Sequence, residues 1–432
     1  MTNEQEKTFN IAIAGLGTVG CGLIRLIEKN KDIIEFRTGK KIKIVAVSAK
    51  SKEKKRAVNL ENIAWASDPM ELTNFDQVHC VVELIGGHEG IAKDLIFQSI
   101  NKGKNVVTAN KALLAHHGHE IAALAEEKKV NVYYEAAVAG GIPIIRTIMQ
   151  SLSPNKTSQI IGVINGTCNY ILTEMEKSSL SYETAFNKAQ GLGYVEADPE
   201  LDIGGIDSAH KLAILSSIGF NQKASLEDIN TNGIKHISLF DIKSAKELGF
   251  KIKLLASAKV TEHGFHHEVA PCLIPLTSPI AQVMGGENII LVESDFIGKT
   301  YYRGAGAGEG PTASAVMADL INISGDKVKP IFGIPEKQLQ TIEHSIQEFE
   351  NSFYIRINIR DEPGALSHIT GILGEYGISI NRMRQKDHKG LEAPIVLLTH
   401  KTSAEKIKPC IEQLSKDDIC IGLPVCLRIE DI

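Results

Sequence analysis

The chain has 432 residues, 43% of them hydrophobic and 23% charged, with seven cysteines and a formal net charge of −5. That is the composition of a globular protein long enough for about three domains, and a pI near 6.3 excludes the strongly basic face of a nucleic-acid binder. No stretch reaches 18 apolar residues, the polar start MTNEQEKTFN has no signal-peptide core, and the cysteines form no C-x-x-C pair, so the expectation is a cytoplasmic protein without a membrane span and with reduced, mostly buried thiols.

The first third alternates apolar strands with helical patterns. Strands are expected at 9–14, 42–48, 79–85, 105–108 and 131–135, and helices at 19–28, 91–101 and 120–128. Such alternation predicts a parallel, doubly wound sheet. From about Gly141 the connections lengthen. The stretch LGYVEADPELDIGG (192–205) is polar and turn-rich and reads as a loop, followed by an apolar helix over 209–218. A glycine-rich run, 303–310, precedes a helix opening at Pro311. Residues 331–351 read as a polar, exposed linker. Beyond them the order strand 354–359, helix 364–376, strand 378–384, strand 394–399, helix 404–414, strand 425–429 is ferredoxin-like. A linker of that kind predicts that a chain cut after about residue 345 keeps a folded, active catalytic part.

Gly15-Leu16-Gly17-Thr18-Val19-Gly20 is a G-x-G-x-x-G placed between an apolar strand and a helix, the context that makes it a dinucleotide site. Gly15 and Gly17 let the turn tighten and the amides approach a pyrophosphate, and Gly20 lets helix and strand pack closely. No acid stands at the end of the second strand. Lys50 and Lys52 follow it, with Lys54, Lys55 and Arg56 beyond, which favours the 2′-phosphate of NADP, with NAD as the alternative.

Chemistry for the other half of the site lies further on. Reducing a carbonyl by hydride creates an alkoxide-like oxygen that a nearby cationic acid stabilises and protonates. Lys211 ends the polar loop, and Glu196, Asp198, Asp202 and Asp207 crowd it, able to hold a substrate ammonium. His210, adjacent on the helix, faces another way and takes no catalytic part. Cys168 reads as a packing residue, since no step needs a thiol nucleophile.

Four stretches, VVTANKALLA (106–115), EAAVAGGIPII (135–145), GVINGTCNYIL (162–172) and LGYVEADPELDIGGIDSAHK (192–211), together with GLGTVG, closely resemble the homoserine dehydrogenase family over most of residues 9–320. The resemblance implies reversible conversion of L-homoserine and NAD(P)+ to L-aspartate 4-semialdehyde and NAD(P)H. It implies that Lys211 is the proton donor, that Glu196, Asp202 and Asp207 lie at the substrate, and that Lys111 lies where cofactor and substrate meet. Ala109, Gly193 and Gly306 join the glycine turn as cofactor neighbours. It also implies a sodium ion near Glu135, Val138, Gly140 and Ile142, held by main-chain carbonyls. The joint presence of Lys111, Glu196, Asp207 and Lys211 favours an enzyme over a non-catalytic sensor.

Asp361-Glu362-Pro363-Gly364-Ala365-Leu366, in its β-α-β-β-α-β setting, resembles an ACT domain. That resemblance implies an amino-acid effector near Gly364, threonine being the candidate, and pairing between chains as a homodimer or homotetramer. The expected fold class is therefore α/β: a Rossmann-like doubly wound domain (1–135, completed by about 305–325), an α+β substrate-binding and dimerisation domain (136–304), a linker (326–350) and a C-terminal ferredoxin-like ACT domain (351–432).

Overall fold

The structure, a computed structural model, describes residues 8–195, 198–261, 264–325, 327–341, 350–385 and 392–432. The chain divides into two compact units. One comprises residues 1–160, 207–229 and 287–342, the other residues 161–206, 230–286 and 343–432.

The first unit is built on β1 (Thr8–Ala14), α1 (Thr18–Thr38), β2 (Lys41–Ser48), β3 (Ala64–Ala66), β4 (Cys80–Glu83), α2 (Ile91–Asn101), β5 (Asn105–Thr108), α3 (Lys111–Lys128) and β6 (Val132–Tyr133). Its six strands lie in the order β3-β2-β1-β4-β5-β6, and every pairing is parallel. The order reverses between β1 and β4, and in an open parallel sheet ligands bind at the carboxyl ends of the strands beside that reversal. The strands read as near-continuous apolar runs because helices cover both faces. Leu23, Ile24 and Ile27 of α1 share a core with Ala313, Val316, Met317 and Leu320 of the Glu309–Ile323 helix. The doubly wound expectation holds.

Element lengths depart from expectation in two places. The helix expected at 19–28 continues to Thr38. The helix expected from Glu120 begins at Lys111, capped by the Asn110 side chain on the Leu113 amide at 3.1 Å. Three histidines, His116, His117 and His119, hide its apolar stripe from a periodicity reading. The first half of the 303–310 run is strand, since Gly298–Ala305 pairs antiparallel with Glu287–Ser294.

In the second unit the polar stretch before Gly205 contains a short helix, Pro199–Ile203, whose cap is Asp198. A long hairpin pairs Phe250–Thr261 with Gly264–Pro275. The C-terminal elements follow the expected β-α-β-β-α-β order: Phe353–Arg360, Ala365–Glu375, Ile380–Gln385, Glu392–Thr399, Ala404–Lys416 and Val425–Ile429. This module is no tethered bead. Its last strand pairs parallel with the hairpin, Cys272 opposite Arg428. Asp241, fully buried, accepts from Tyr354 Oη at 2.9 Å and from Arg356 Nε at 2.7 Å. Half-buried Arg428 contacts both Glu268 and Glu430, and Glu430 contacts Lys259. Burial alone would raise the Glu268 carboxyl, but Arg428, with His266 and Lys259, pulls it down to about 2.

The linker is not an exposed tether either. Ile331, Phe332 and Leu339 are buried, because their partners are distant in sequence and invisible to local patterning. Among the described residues no helix is long and apolar enough to cross a membrane.

These contacts reverse the expectation for truncation. Cutting after residue 345 strips a strand from the Gly264–Pro275 hairpin and leaves Asp241 and Glu268 without their buried cations. Breaking one such pair costs about 3–5 kcal/mol, so the cut chain should melt well below the full one and aggregate through the bared edge. Thermal unfolding with size-exclusion chromatography checks this; a monodisperse fragment with an unchanged Tm refutes it.

Candidate active site

The glycine turn is shaped by close approach. Gly15 has φ +105°, and a Cβ there would lie 2.4 Å from the Leu84 carbonyl oxygen. A Cβ on Gly20 would lie 2.1 Å from the Gly15 carbonyl oxygen, whereas one on Gly17 would meet nothing within 4 Å. Gly15 and Gly20 are thus demanded by packing, while Gly17 leaves open space at the start of α1, where first-turn amides lack intrahelical acceptors. Gly15 N–H donates to Ser48 O at 2.9 Å, tying the turn to the end of β2. The basic segment is anchored to the same turn: Arg56 Nε donates to Leu16 O at 3.2 Å and its Nη2 to Ser51 O at 2.7 Å. Arg56 also lies over the Trp65 ring at 5.5 Å. Lys50 is exposed at the start of this segment.

The TANK stretch is organised by a buried acid that sequence reasoning missed. Glu83, at the end of β4, accepts from the amides of Ile85 (2.7 Å) and Gly86 (2.9 Å) and from Thr108 Oγ1 (2.6 Å). Thr108 Oγ1 in turn accepts from Asn110 N–H at 3.0 Å, and Asn110 Nδ2 donates to Gly87 O at 2.7 Å. Thr108 and Asn110 therefore fix the two loops at the carboxyl ends of β4 and β5, with Ala109 between them and Lys111 as the first residue of α3. An Asn one residue before a helix is a cap signal, which the expected start at Glu120 passed over; the partnership with Glu83 spans 25 residues and no local pattern marks it.

Across from this loop the Ile206–Phe220 helix presents Asp207 and, one turn on, Lys211. Asp207 Oδ2 accepts from Lys211 Nζ at 2.8 Å, and Asp207 Oδ1 pairs with Lys111 Nζ at 3.1 Å. One buried carboxylate holds two ammonium groups, and the three side chains together carry a single positive charge. His210 is buried on the same helix, edge-on to His116 at 5.5 Å; His116 stacks on His88 at 4.3 Å. Burial, then neighbouring His116, pushes the His210 imidazole down to about 4, against the pull of Asp207.

The other expected residues have local partners of their own. Asp202 lies in the second unit, where Asn165 Nδ2 donates to its Oδ1 at 2.9 Å and Cys168 Sγ to its backbone oxygen at 3.2 Å. Gly193, also there, has φ +75°. Glu196 lies outside the described residues. Gly306 is required by Asn288, whose Oδ1 would lie 1.9 Å from a Cβ at that position. Gly140 N–H donates to Gly306 O at 3.0 Å. The Glu135 carboxylate accepts from the amides of Ile145 and Arg146, each at 2.9 Å. Among the described residues no cluster of three or more His, Cys, Asp or Glu side chains is arranged to hold a metal. Burial pushes the Cys272 and Cys426 thiols up to about 12, which leaves them unreactive.

Comparison with known proteins agrees in every part of the chain. Residues 15–135 match the model for the homoserine dehydrogenase NAD-binding domain, and residues 143–321 that for homoserine dehydrogenase. A homoserine dehydrogenase of Neisseria gonorrhoeae is 41% identical over 99% of both chains. This chain belongs to the homoserine dehydrogenase family. Residues 353–416 match the ACT domain model, so the C-terminal module is an ACT domain. The crystal structure of a homoserine dehydrogenase from Thiobacillus denitrificans superposes with a TM-score of 0.92 at 39% identity, covering 98% of this chain and 99% of that one. A hyperthermophilic archaeal homoserine dehydrogenase in complex with NADPH superposes at 0.64 with 25% identity, covering 74% of this chain and all of its own. With the family's cofactor-binding domain in place, this chain is a nicotinamide-dependent oxidoreductase.

The His210 imidazole gives a test of the site's electrostatics. The folded state holds it neutral down to about pH 4, whereas the unfolded chain protonates near 6.5. The unfolded state then binds more protons between those values, so the contribution is present above about pH 6.5 and is lost on acidification towards 4. The loss should reach about 3 kcal/mol. Urea unfolding across this range should show a shallower acid decline for His210→Asn than for the parent; identical slopes would contradict it.

Proposed function

We propose that this chain interconverts L-homoserine and L-aspartate 4-semialdehyde reversibly with NAD(P)(H). The observation that carries the reading is the buried Asp207 carboxylate shared by Lys111 and Lys211 beside the TANK loop. The nicotinamide supplies or accepts the hydride. This chain's residues do the rest. In reduction, negative charge grows on the aldehyde oxygen, and the ammonium groups of the two lysines stabilise it. Lys211 Nζ gives that oxygen a proton; in oxidation the same atom takes it back. Asp207 keeps both ammonium groups in place. Glu196 and Asp202 hold the substrate ammonium. Lys211→Met should lower kcat by about 100-fold or more with NADPH affinity unchanged. Stopped-flow and fluorescence titration check this, and near-normal turnover in a folded variant removes Lys211 from the mechanism.

Gly15, Leu16, Gly17, Thr18, Val19 and Gly20 would receive the pyrophosphate, and Ala109, Lys111, Gly193 and Gly306 would flank the nicotinamide end. NADP is the preferred cofactor in this reading. The support is the absence of an acid at the end of β2 and the anchoring of the basic segment to Leu16 through Arg56. Lys50→Glu should weaken NADP binding about 10-fold, since a removed charge-assisted contact is worth about 1.5–3 kcal/mol, and should spare NAD. Paired Kd measurements decide; an unchanged ratio excludes Lys50 from the 2′-phosphate site.

In this reading the main-chain carbonyls of Glu135, Val138, Gly140 and Ile142 would hold a sodium ion. Ala139, between them, is held at φ +47°, a left-handed turn that a non-glycine residue adopts only where its surroundings over-determine it. We propose boundaries of 1–135 and 305–325 for the cofactor part, 136–304 for the substrate and dimerisation part, 326–350 for the connector and 351–432 for the ACT part, in a homodimer or homotetramer. Threonine, the end product of the route that homoserine feeds, is the proposed effector. Gly364, at φ +93°, precedes the Ala365–Glu375 helix with no side-chain cap on its amides, which suits a carboxylate. Gly364→Val should abolish inhibition by threonine while kcat stays within about twofold, a surface change away from chemistry having small effect. Threonine inhibition as strong as in the parent would move the effector site elsewhere.

A further inference from the structure

The stretch that joins the catalytic fold to the ACT domain touches both helices that carry the lysine–aspartate cluster, all within the first unit. It is pinned at its start, where Lys329 N–H donates to Asn131 Oδ1 at 2.9 Å and Tyr134 Oη to Ile331 O at 2.7 Å. Phe332, 3% exposed, then drops onto α3. A Cβ on Gly118 would lie 3.1 Å from Phe332 Cζ, so the missing side chain of Gly118 is the notch that seats the ring, with His119 beside it at 5.1 Å. Next, Glu336 bridges the two helices. Its N–H donates to Glu126 Oε1, near the end of α3, at 2.8 Å. Its carboxylate pairs with Lys223, just past the end of the Ile206–Phe220 helix, at 2.5 Å. Gln340 finishes the contact, donating to Asn221 O at 2.9 Å and accepting from Lys223 N–H at 3.0 Å.

We propose that residues 329–340 are a positioning strap for catalysis, with Phe332 and Glu336 as its anchors. Lys111 is the first residue of α3, and Asp207 is the second of its own helix. Those helices have 18 and 15 residues, or about 27 and 22 Å of rigid rod. At one end they are joined through the Lys111–Asp207 ion pair, with His116 of α3 edge-on to His210 a little further along. At the far end they are joined through Glu336. Two rods held at both ends cannot swing; released at the far end, they pivot, and the shared carboxylate parts from one of its lysines. A displacement of about 1 Å at a reacting group costs up to 100-fold in rate. Among the described residues the glycine turn that opens α1 has no contact with the strap, so the pyrophosphate end of the cofactor keeps its site and NADPH affinity changes far less than kcat.

The proposal rests on the roles given above to Lys111, Asp207 and Lys211, and its test separates the two. In the full-length enzyme, kcat, KM for homoserine, NADPH Kd and the kcat–pH profile are measured for Phe332→Ala and for Glu336→Lys, Lys223→Glu and their double swap. Phe332→Ala is expected to lower kcat about 10-fold, a partial version of that displacement cost, with NADPH Kd within about twofold and a shifted pH profile. Each charge reversal is expected to lower kcat, and the double swap to restore it. Normal kcat in Phe332→Ala, or reversals whose effects merely add in the double variant, overturns the strap. The charge pair is partly exposed, so its cycle decides the question even if Phe332→Ala does not fold. If Lys211→Met is inactive while the cycle shows no coupling, the catalytic reading stands and the strap alone fails. If Lys211→Met turns over normally, the catalytic reading fails first.

Discussion

Two ammonium groups on one buried carboxylate form the constraint on which the rest of the first unit depends. Asp207 stands with a lysine on each oxygen, one from its own helix and one from α3. The pair from its own helix is local, four residues apart on one face, and forms wherever that helix forms. The pair with Lys111 joins residues almost a hundred positions apart in the chain and exists only if α3 and the Ile206–Phe220 helix are placed side by side. Losing the carboxylate would take from buried Lys211 and partly exposed Lys111 the group they share, so cluster and helix placement are each a condition of the other.

The same logic explains the polar groups around the TANK loop. Loops at the carboxyl ends of β4 and β5 have backbone amides with no strand partner, and buried amides must be paired. Glu83 takes two of them and the Thr108 hydroxyl, and Asn110 caps α3 while holding Gly87. A fully satisfied network of this kind is rigid. Lys111 starts its helix from that platform, which is why its ammonium can be aimed rather than left to sample solvent.

How much of this was legible in the sequence depends on how local each cause is. The glycine turn was readable because its constraints sit within a few residues: Gly20 must be bare because Gly15 O is there. The ACT domain was readable because its period and turn chemistry are local. The connector was misread because Phe332 is buried by a notch at Gly118, more than 200 residues earlier, and no window of sequence joins the two. The expected helix start at Glu120 failed for a related reason. Histidines 116 and 117 look like loop polarity, yet His116 packs between His88 and His210, and His117 faces the carboxylates of Glu89 and Glu120. The roles of Lys111 and Lys211 came from family resemblance; the sharing of Asp207 between them needed the structure.

One further buried charge group shows why polar interiors persist where apolar packing would be simpler. Asp319 and Glu135 face a single guanidinium, with Arg146 Nη2 donating to Asp319 Oδ1 at 2.8 Å. Burial, then Glu135, pushes the Asp319 carboxyl up to about 8 against the pull of Arg146, and burial raises Glu135 as well. One arginine cannot neutralise two carboxylates in a dry interior, so the trio adds little or nothing to stability. Its effect is on shape. Asp319 Oδ2 accepts from Glu135 N–H at 2.8 Å, and Glu135 accepts from the amides of Ile145 and Arg146. The carboxylates therefore fix both ends of the 135–146 loop, whose carbonyls are the proposed sodium ligands and whose Gly140 and Gly141 amides bind the backbone of Gly306 and Ala305. Apolar side chains of equal volume would fill the space but could not take those four amides and guanidinium hydrogens, and the loop would lose the single conformation that a carbonyl cage requires.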